Sequence, residues 1–277
     1  MEPNLETLVT WKGLVVAAWL ALLFAAERLR PAAREPRVSN NGQASGPAGG
    51  PAGGWWRVAR NLALWLANVA LSPLVVLPVS YWAAGHHLGW RPVWWSGAPG
   101  LLLDVVLLDF LIYWWHRANH VVPLLWRFHE IHHLDRFLDT TTALRFHFGE
   151  VLLSALARAV VIILLDVPIA SVLVFEALVL TAAIFHHSNL RLPEGFELGL
   201  ARIVITPSIH WVHHHARRVD TDSNYGTIFS FWDPLFASRS AKRRELDMPI
   251  GVEARGERGF LPLLLRPFLT AAQRGEV

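Results

Sequence analysis

Residues 100–133 read GLLLDVVLLDFLIYWWHRANHVVPLLWRFHEIHH. The first half, about Gly100 to Trp115, is an apolar run that reads as a membrane-crossing helix. The second half carries His116, His120, His129, His132 and His133. Spacings of three and four put side chains on adjacent turns of one helix face, so each group can aim its ring nitrogens at a common point. Further on, HWVHH repeats the pattern with His210, His213 and His214. A lone histidine is usually hydrogen-bonded or exposed. Eight of the chain's 14 at chelating spacing beside apolar spans point instead to a bound cation.

Composition supports the membrane reading. The 277 residues are 53% apolar and include 14 tryptophans, with a mean hydropathy of +0.33, more apolar side chain than a soluble core of this size needs. The absence of cysteine excludes disulfides, thiolate-bound haem, iron–sulfur clusters and cysteine-rich zinc sites. Metal must therefore sit on histidine or carboxylate. The net charge of +3 does not mark a nucleic-acid binder, because the basic residues are scattered between apolar spans rather than gathered on one face. Arginine outnumbers lysine 23 to 2, which hints at a GC-rich bacterial genome.

Working outward, apolar runs cover about Leu8 to Ala26 and about Leu62 to Ala84, the second with Pro73 and Pro78 and so kinked. Val151 to Leu165 and Ile169 to Phe185, separated by Asp166, Val167 and Pro168, predict a helical hairpin that crosses or dips into the bilayer. The acidic start (Glu2, Glu6) argues for a retained span rather than a cleaved signal peptide. The expected fold is all-α: four to five spans or re-entrant helices under a histidine-rich helical cap. Residues 1–35 form an N-terminal transmembrane helix, 36–58 a flexible Gly/Pro/Ala linker, 59–245 the membrane-embedded domain and 246–277 a C-terminal tail. The linker glycines lack the preceding strand and following GK[ST] of a phosphate-binding loop. Tryptophan pairs at 55/56, 94/95 and 114/115 fall at span ends, where indole anchors in the headgroup layer. Six arginines between Arg28 and Arg60, against Arg91 alone after the next run, place that segment in the cytoplasm and every histidine box on the same side. The expected location is a bacterial inner membrane.

Eight imidazoles exceed the four ligands of a tetrahedral zinc and suit two metals of higher coordination number. Two irons with open positions can activate dioxygen against an unactivated C–H bond, the chemistry that a bilayer setting favours; zinc is a possible substitute. HEIHH also contains HExxH, with Glu130 as the base of a zinc metalloprotease. Against that reading, HWVHH has Trp211 at the glutamate position and HRANH has no role in a one-zinc enzyme. A non-catalytic metal carrier is a second alternative, but it would want ligands along a path within the spans.

HRANH, HEIHH, HHSN at 186–189, TPSIHWVHH, NYG and WDPLF together resemble the fatty acid hydroxylase / sterol desaturase superfamily over about Asp104 to Ser238. The resemblance implies an integral membrane di-iron oxygenase that hydroxylates or desaturates a fatty acyl or sterol-like lipid with O2 as co-substrate. It carries metal-ligand status onto His116, His120, His129, His132, His133, His210, His213 and His214, and suggests His187 as a ninth ligand or a supporting partner. His186 is less clearly involved, and His215 reads as surface. The family's RxHPxE element appears as Arg145, His147, Phe148 and Glu150, without the proline; its WDxLFGT has become WDPLFAS. His147 reads equally as ligand or support. Asp233, with the turn at Asn224, Tyr225 and Gly226, reads equally as orienting an imidazole or as part of an ordinary structural turn, and Asp104 and Asp109 are expected to point inward. Glu130 and Asp135 read either as acceptors that support a ligand or, the commoner outcome on an exposed helix face, as solvated charges.

No flavin or nicotinamide motif is present, so electrons come from an external donor such as a ferredoxin or a cytochrome of the b5 type. The basic residues Arg217, Arg218, Arg239, Lys242, Arg243 and Arg244 offer such a donor a docking surface, or else hold anionic headgroups.

Overall fold

A computed structural model describes residues 5–35, 54–253, 255 and 259–274. Among them every regular element is a helix, with β pairing limited to isolated bridges such as Pro31 with Leu190. Three helices are long and apolar enough to cross a membrane: α1 (Leu5–Leu29), α4 (Gly97–Val121) and α7 (Ile169–His187). The expected second span is two helices, α2 (Gly54–Leu71) and α3 (Val76–Gly85), bent by 44°. Pro73 lies in the break, where it can neither donate a helical hydrogen bond nor clear the preceding carbonyl. Pro78 sits in the first turn of α3, where a missing N–H costs little. The four to five expected helices thus appear as three full-length spans, one broken pair and the shorter α6 (Phe148–Leu164).

The α6–α7 hairpin reaches the end of the bundle opposite the histidines. At its tip Asp166, in the left-handed region (φ 49°), accepts the backbone N–H groups of Trp90 and Arg91 in the α3–α4 connection at 2.8 and 3.3 Å. Arg91 in turn donates to Asp104 at 2.9 and 2.7 Å. Between the ends, Val105 and Leu108 of α4 pack with Ala159 and Ile162 of α6 and with Val172 and Phe175 of α7. The charges within the spans are paired: Glu176 of α7 meets Lys12 of α1 and Arg158 of α6, as a low-dielectric setting requires. Leu14, Leu22, Leu66, Leu102 and Val160 point outward and exposed, as lipid-facing side chains do.

At the other end lies the cap, built from α5 (Pro123–His133), a 3-10 turn (Thr140–Leu144) and the short helices α8 (Glu194–Leu200), α9 (Pro207–His213), α10 (Arg218–Thr221) and α11 (Trp232–Leu235). α4 continues through HRANH and stops at Val121, because Pro123 favours the start of a new helix. Three further short pieces close the C-terminal side: α12 (Phe260–Leu265), a 3-10 turn (Arg266–Phe268) and α13 (Ala271–Arg274).

Two readings of the sequence are corrected here. Residues 36–53 of the linker lie outside the described residues, but its last part, from Gly54, is the first turn of α2. Glu130 and Asp135 are not solvated: both are fully buried and bonded to cations from distant parts of the chain. Arg57 of α2 donates to Asp135 at 3.0 Å, to the carbonyl of Phe137 at 3.2 Å and to Asp139. Asn61 adds a bond to Asp135 at 2.8 Å. Burial alone would raise the Asp139 pKa, but the Arg57 and Arg28 guanidiniums and the Thr141 hydrogen bonds hold it below the usual carboxylate value.

Arg57→Ala leaves two buried carboxylates without their shared cation. It should destabilise the detergent-solubilised protein by on the order of 3–5 kcal/mol, seen as a lower thermal unfolding midpoint.

Candidate metal centre

Nine histidines converge in two adjoining groups. One holds His116, His120, His129, His133 and His213; the other holds His132, His187, His210 and His214, with the offered nitrogens of each group within 4.8 Å of one another. These are the nine candidate ligands, none left out. In HEIHH the i, i+4 pair, His129 and His133, serves the first group and His132 the second. In HWVHH the assignment reverses: His210 and His214 serve the second group and His213 the first. Neighbouring helical residues point about 100° apart, so one short helix faces both groups at once.

Six of the nine outward ring nitrogens are tied down, while Nδ1 of His133, His210 and His214 is buried without a partner. Nδ1 donates to the carbonyl of Tyr225 from His116 (2.9 Å), of Arg145 from His132 (3.3 Å), of Ala183 from His187 (2.7 Å) and of Ser223 from His213 (2.7 Å). His129 donates Nδ1 to Glu150 at 2.7 Å, and Nδ1 of His120 lies 3.2 Å from Asp222. A carbonyl can only accept, so a neutral ring bound to one carries its proton on Nδ1 and turns a lone pair inward at Nε2. That creates a conflict. Nε2 of His187 and Nε2 of His132 stand 3.0 Å apart, both as acceptors. In the first group Nε2 of His116, His120 and His213 is buried without any hydrogen-bond partner. A cluster of inward lone pairs, six of them oriented from behind by a carbonyl or carboxylate, suits cations, and such support is what metal-bound imidazoles ordinarily have. The spacing fits as well: ligand atoms at roughly 2.0–2.1 Å from a shared cation stand about 3 Å apart at right angles.

Burial, reinforced by neighbouring imidazoles, holds His132, His133, His210, His213 and His214 well below the ordinary histidine pKa. The rings are therefore neutral at pH 7, the form that ligates.

Other expectations resolve in particular ways. His147 joins neither group: it caps α6 by accepting the Gly149 N–H at 2.9 Å, and its Nε2 lies 3.0 Å from the Leu264 carbonyl. His186 is buried with Nδ1 unpartnered, its ring 4.0 Å from that of His210, but it lies outside both groups. His215 is buried rather than on the surface. Asp233 does not touch an imidazole; it accepts the N–H groups of Tyr225 (2.7 Å) and Gly226 (3.0 Å) and so fixes the turn whose Tyr225 carbonyl holds His116. Gly226 is required there, since an added Cβ would come within 2.7 Å of Ile205 and 2.9 Å of the Phe229 carbonyl. Asp104 and Asp109 do point inward, and Asp109 accepts from Ile228, Phe229 and the Trp232 indole at 2.8–3.1 Å. Sequence reasoning missed Glu150 as the partner of His129; its place in the Arg145–Glu150 element was the available signal. Asp222 and the four carbonyls carried no such signal.

Glu130 cannot serve as a protease base. Both its oxygens are held, by Arg266 at 3.0 and 2.9 Å and by Arg255.

Residues 101–238 match the model of the fatty acid hydroxylase family. The chain belongs to the fatty acid hydroxylase family. It is 30% identical over 196 residues to the ornithine lipid hydroxylase of Rhizobium tropici, covering 71% of this chain and 58% of that protein. It is 34% identical to the alkylglycerol monooxygenase of Caenorhabditis elegans, covering 51% and 27%. With a very-long-chain aldehyde decarbonylase of Oryza sativa subsp. indica the identity is 28%, covering 62% and 28%. The chain thus spans between about a quarter and three-fifths of these relatives' lengths. No solved structure matches.

Within this member of the family the two departures from the family pattern have local explanations. Phe148 is the first helical residue of α6, where proline is favoured but dispensable once His147 supplies the cap. Ala237 stands at the glycine of WDxLFGT and has φ 53°, a left-handed conformation that costs a Cβ-bearing residue about 1–2 kcal/mol. Ser238 keeps the hydroxyl, donating to Asp233 at 2.7 Å.

Ala237→Gly should therefore raise stability, by about 0.5–1 kcal/mol after the added freedom of the unfolded chain is counted, measurable as a higher unfolding midpoint. A second expectation concerns pH. The five histidines stay neutral in the folded protein while the unfolded chain takes up protons below about pH 6.5. The metal-free protein should be at full stability above that value and lose stability steadily as pH falls below it, in a thermal melt series from about pH 8 to about pH 5.

Proposed function

We propose that this chain is a membrane-bound di-iron oxygenase that hydroxylates a lipid, taking O2 and two electrons from an external donor. The observation that carries the reading is the pair of adjoining, buried imidazole groups with lone pairs turned inward. Five histidines in one group and four in the other are more than one zinc accepts and suit two ions that keep open positions. The relatives named above are a hydroxylase, a monooxygenase and a decarbonylase of lipids or long-chain aldehydes. Two of those three names denote oxygen insertion, which favours hydroxylation over desaturation for this chain.

His116, His120, His129, His133 and His213 would hold one ion, and His132, His187, His210 and His214 the other. When bound, two irons supply activation of dioxygen against an unactivated C–H bond. The protein's own work is orientation and exclusion. Glu150, Asp222 and the carbonyls of Tyr225, Arg145, Ala183 and Ser223 fix ring direction and tautomer. Burial of all but His116 keeps bulk water from the rings. Overall, one oxygen atom enters a C–H bond of the lipid, and the other leaves as water with two electrons and two protons.

We place the boxes on the cytoplasmic side of a bacterial inner membrane, where a ferredoxin or a cytochrome of the b5 type would deliver the electrons. Of the basic residues offered to that donor, Arg218 and Arg244 are partly committed: Arg218 pairs with Asp222 at 2.7 Å, and Arg244 stacks on Trp211 at 3.8 Å. A cleft of about 450 Å³ between Arg34, Arg136 and Trp211 is the better docking floor.

Metal analysis of the purified protein should give two irons per chain, and a membrane lipid extract treated with reductant and ¹⁸O2 should yield labelled hydroxylated product. His132→Ala should cut turnover at least about a hundredfold and bring iron towards one per chain. One zinc per chain with unlabelled product, or full activity in His132→Ala, would sink the proposal.

A further inference from the structure

The C-terminal segment lies against the outside of α5 and has two unlike faces. On the inner face Leu263 is fully buried with Leu64 of α2 and with Ile131 and Leu134. Beside it Arg266 forms a two-pronged bond to Glu130, and the Leu264 carbonyl lies 3.0 Å from Nε2 of His147. The outer face is apolar and open. Leu261, Leu265 and Phe268 are 62%, 51% and 70% exposed. A groove of about 250 Å³ runs between Leu261, Pro262, Leu265 and Leu269. So much exposed leucine and phenylalanine on a short helix is what an interfacial element presents to lipid.

Its position says what covers it. Leu263 meets α2 at Leu64, ten residues, or about 15 Å, along the helix from Gly54. Trp55 and Trp56, exposed in the first turn of α2, stand at the depth where indoles anchor in headgroups. α12 packs further up the helix than they do. On α2 itself the next outward residues, Leu66 and Val69, are exposed on a helix that forms part of a broken span.

We infer that Phe260–Phe268 is a membrane-seated strap: its outer face occupies the acyl layer of the leaflet on the cap side, and its inner face holds α5 through Glu130. The strap joins the bilayer directly to the helix that carries His129, His132 and His133. Lipid thus supports the second histidine box from behind, independently of which metal the histidines bind.

The chain has no cysteine, so single thiols at Leu261, Leu265 or Phe268 can each carry one nitroxide label in phospholipid nanodiscs. Labels there should collide with oxygen, which concentrates in bilayers, as a label at Leu66 does, and should be shielded severalfold from a water-soluble nickel chelate relative to one at Lys242. Free access of the chelate to the 261 and 268 labels would overturn the inference. So would shielding from both reagents with spin–spin broadening, which would assign the face to a second copy of the chain. In the unmodified protein a phospholipid with an acyl-chain diazirine should cross-link the 259–274 peptide as heavily as α2; no labelling of that peptide would equally overturn it.

Discussion

Nine imidazoles are gathered where each must present a lone pair to the same small volume, and neutral rings do not settle that way unaided. A ring left to itself would turn a donor toward its neighbour's acceptor. The main chain prevents this by taking the Nδ1 proton of His116, His132, His187 and His213. Carbonyls are unambiguous acceptors, so they fix the tautomer as well as the angle. Much of the cap can be understood as the means of delivering them: the Arg145 turn before α6, the last turn of α7, and the 222–226 loop held by Asp233.

Around that centre lies a shell of paired charges that is unusual for its burial. Glu27, Arg57, Glu130, Asp135, Asp139 and Arg266 are all nearly inaccessible. Each links the cap to a helix from elsewhere in the chain. Arg57 ties α2 to the turn after α5, Glu27 ties α1 to Thr140 and to Asn189, and Arg266 ties the C-terminal segment to α5. Buried pairs of this kind add little net stability compared with an apolar core, but they penalise any arrangement that leaves a charge alone. The cap is thereby held in one arrangement, which a centre depending on ring angles requires.

The amino-acid sequence made the principal apolar helices and all nine convergent histidines legible, because hydropathy and i, i+3, i+4 spacing are local properties. What it hid was long-range. Glu130 looked solvated since its partners lie 125 and 136 positions away, at Arg255 and Arg266. Asp233 reads equally as an imidazole partner or as part of a structural turn, and only the fold decides: it grips the Tyr225–Gly226 backbone and acts at one remove. The apolar run from Leu62 to Ala84 read as one kinked helix; periodicity cannot tell a kink from a break, and at Pro73 the chain breaks. The division of histidines between two groups was also out of reach, since it depends on how α5 and α9 face each other.

That division has a consequence for how the centre can vary. His132 and His133 are consecutive, as are His213 and His214, yet each pair is parted between the two groups. Neither group owns α5 or α9. A rotation of α5 that improved one set of angles would spoil the other, and a one-residue slip would exchange their members. The two halves of the centre are therefore geared together through these two helices: a shift of either that retunes one half retunes the other.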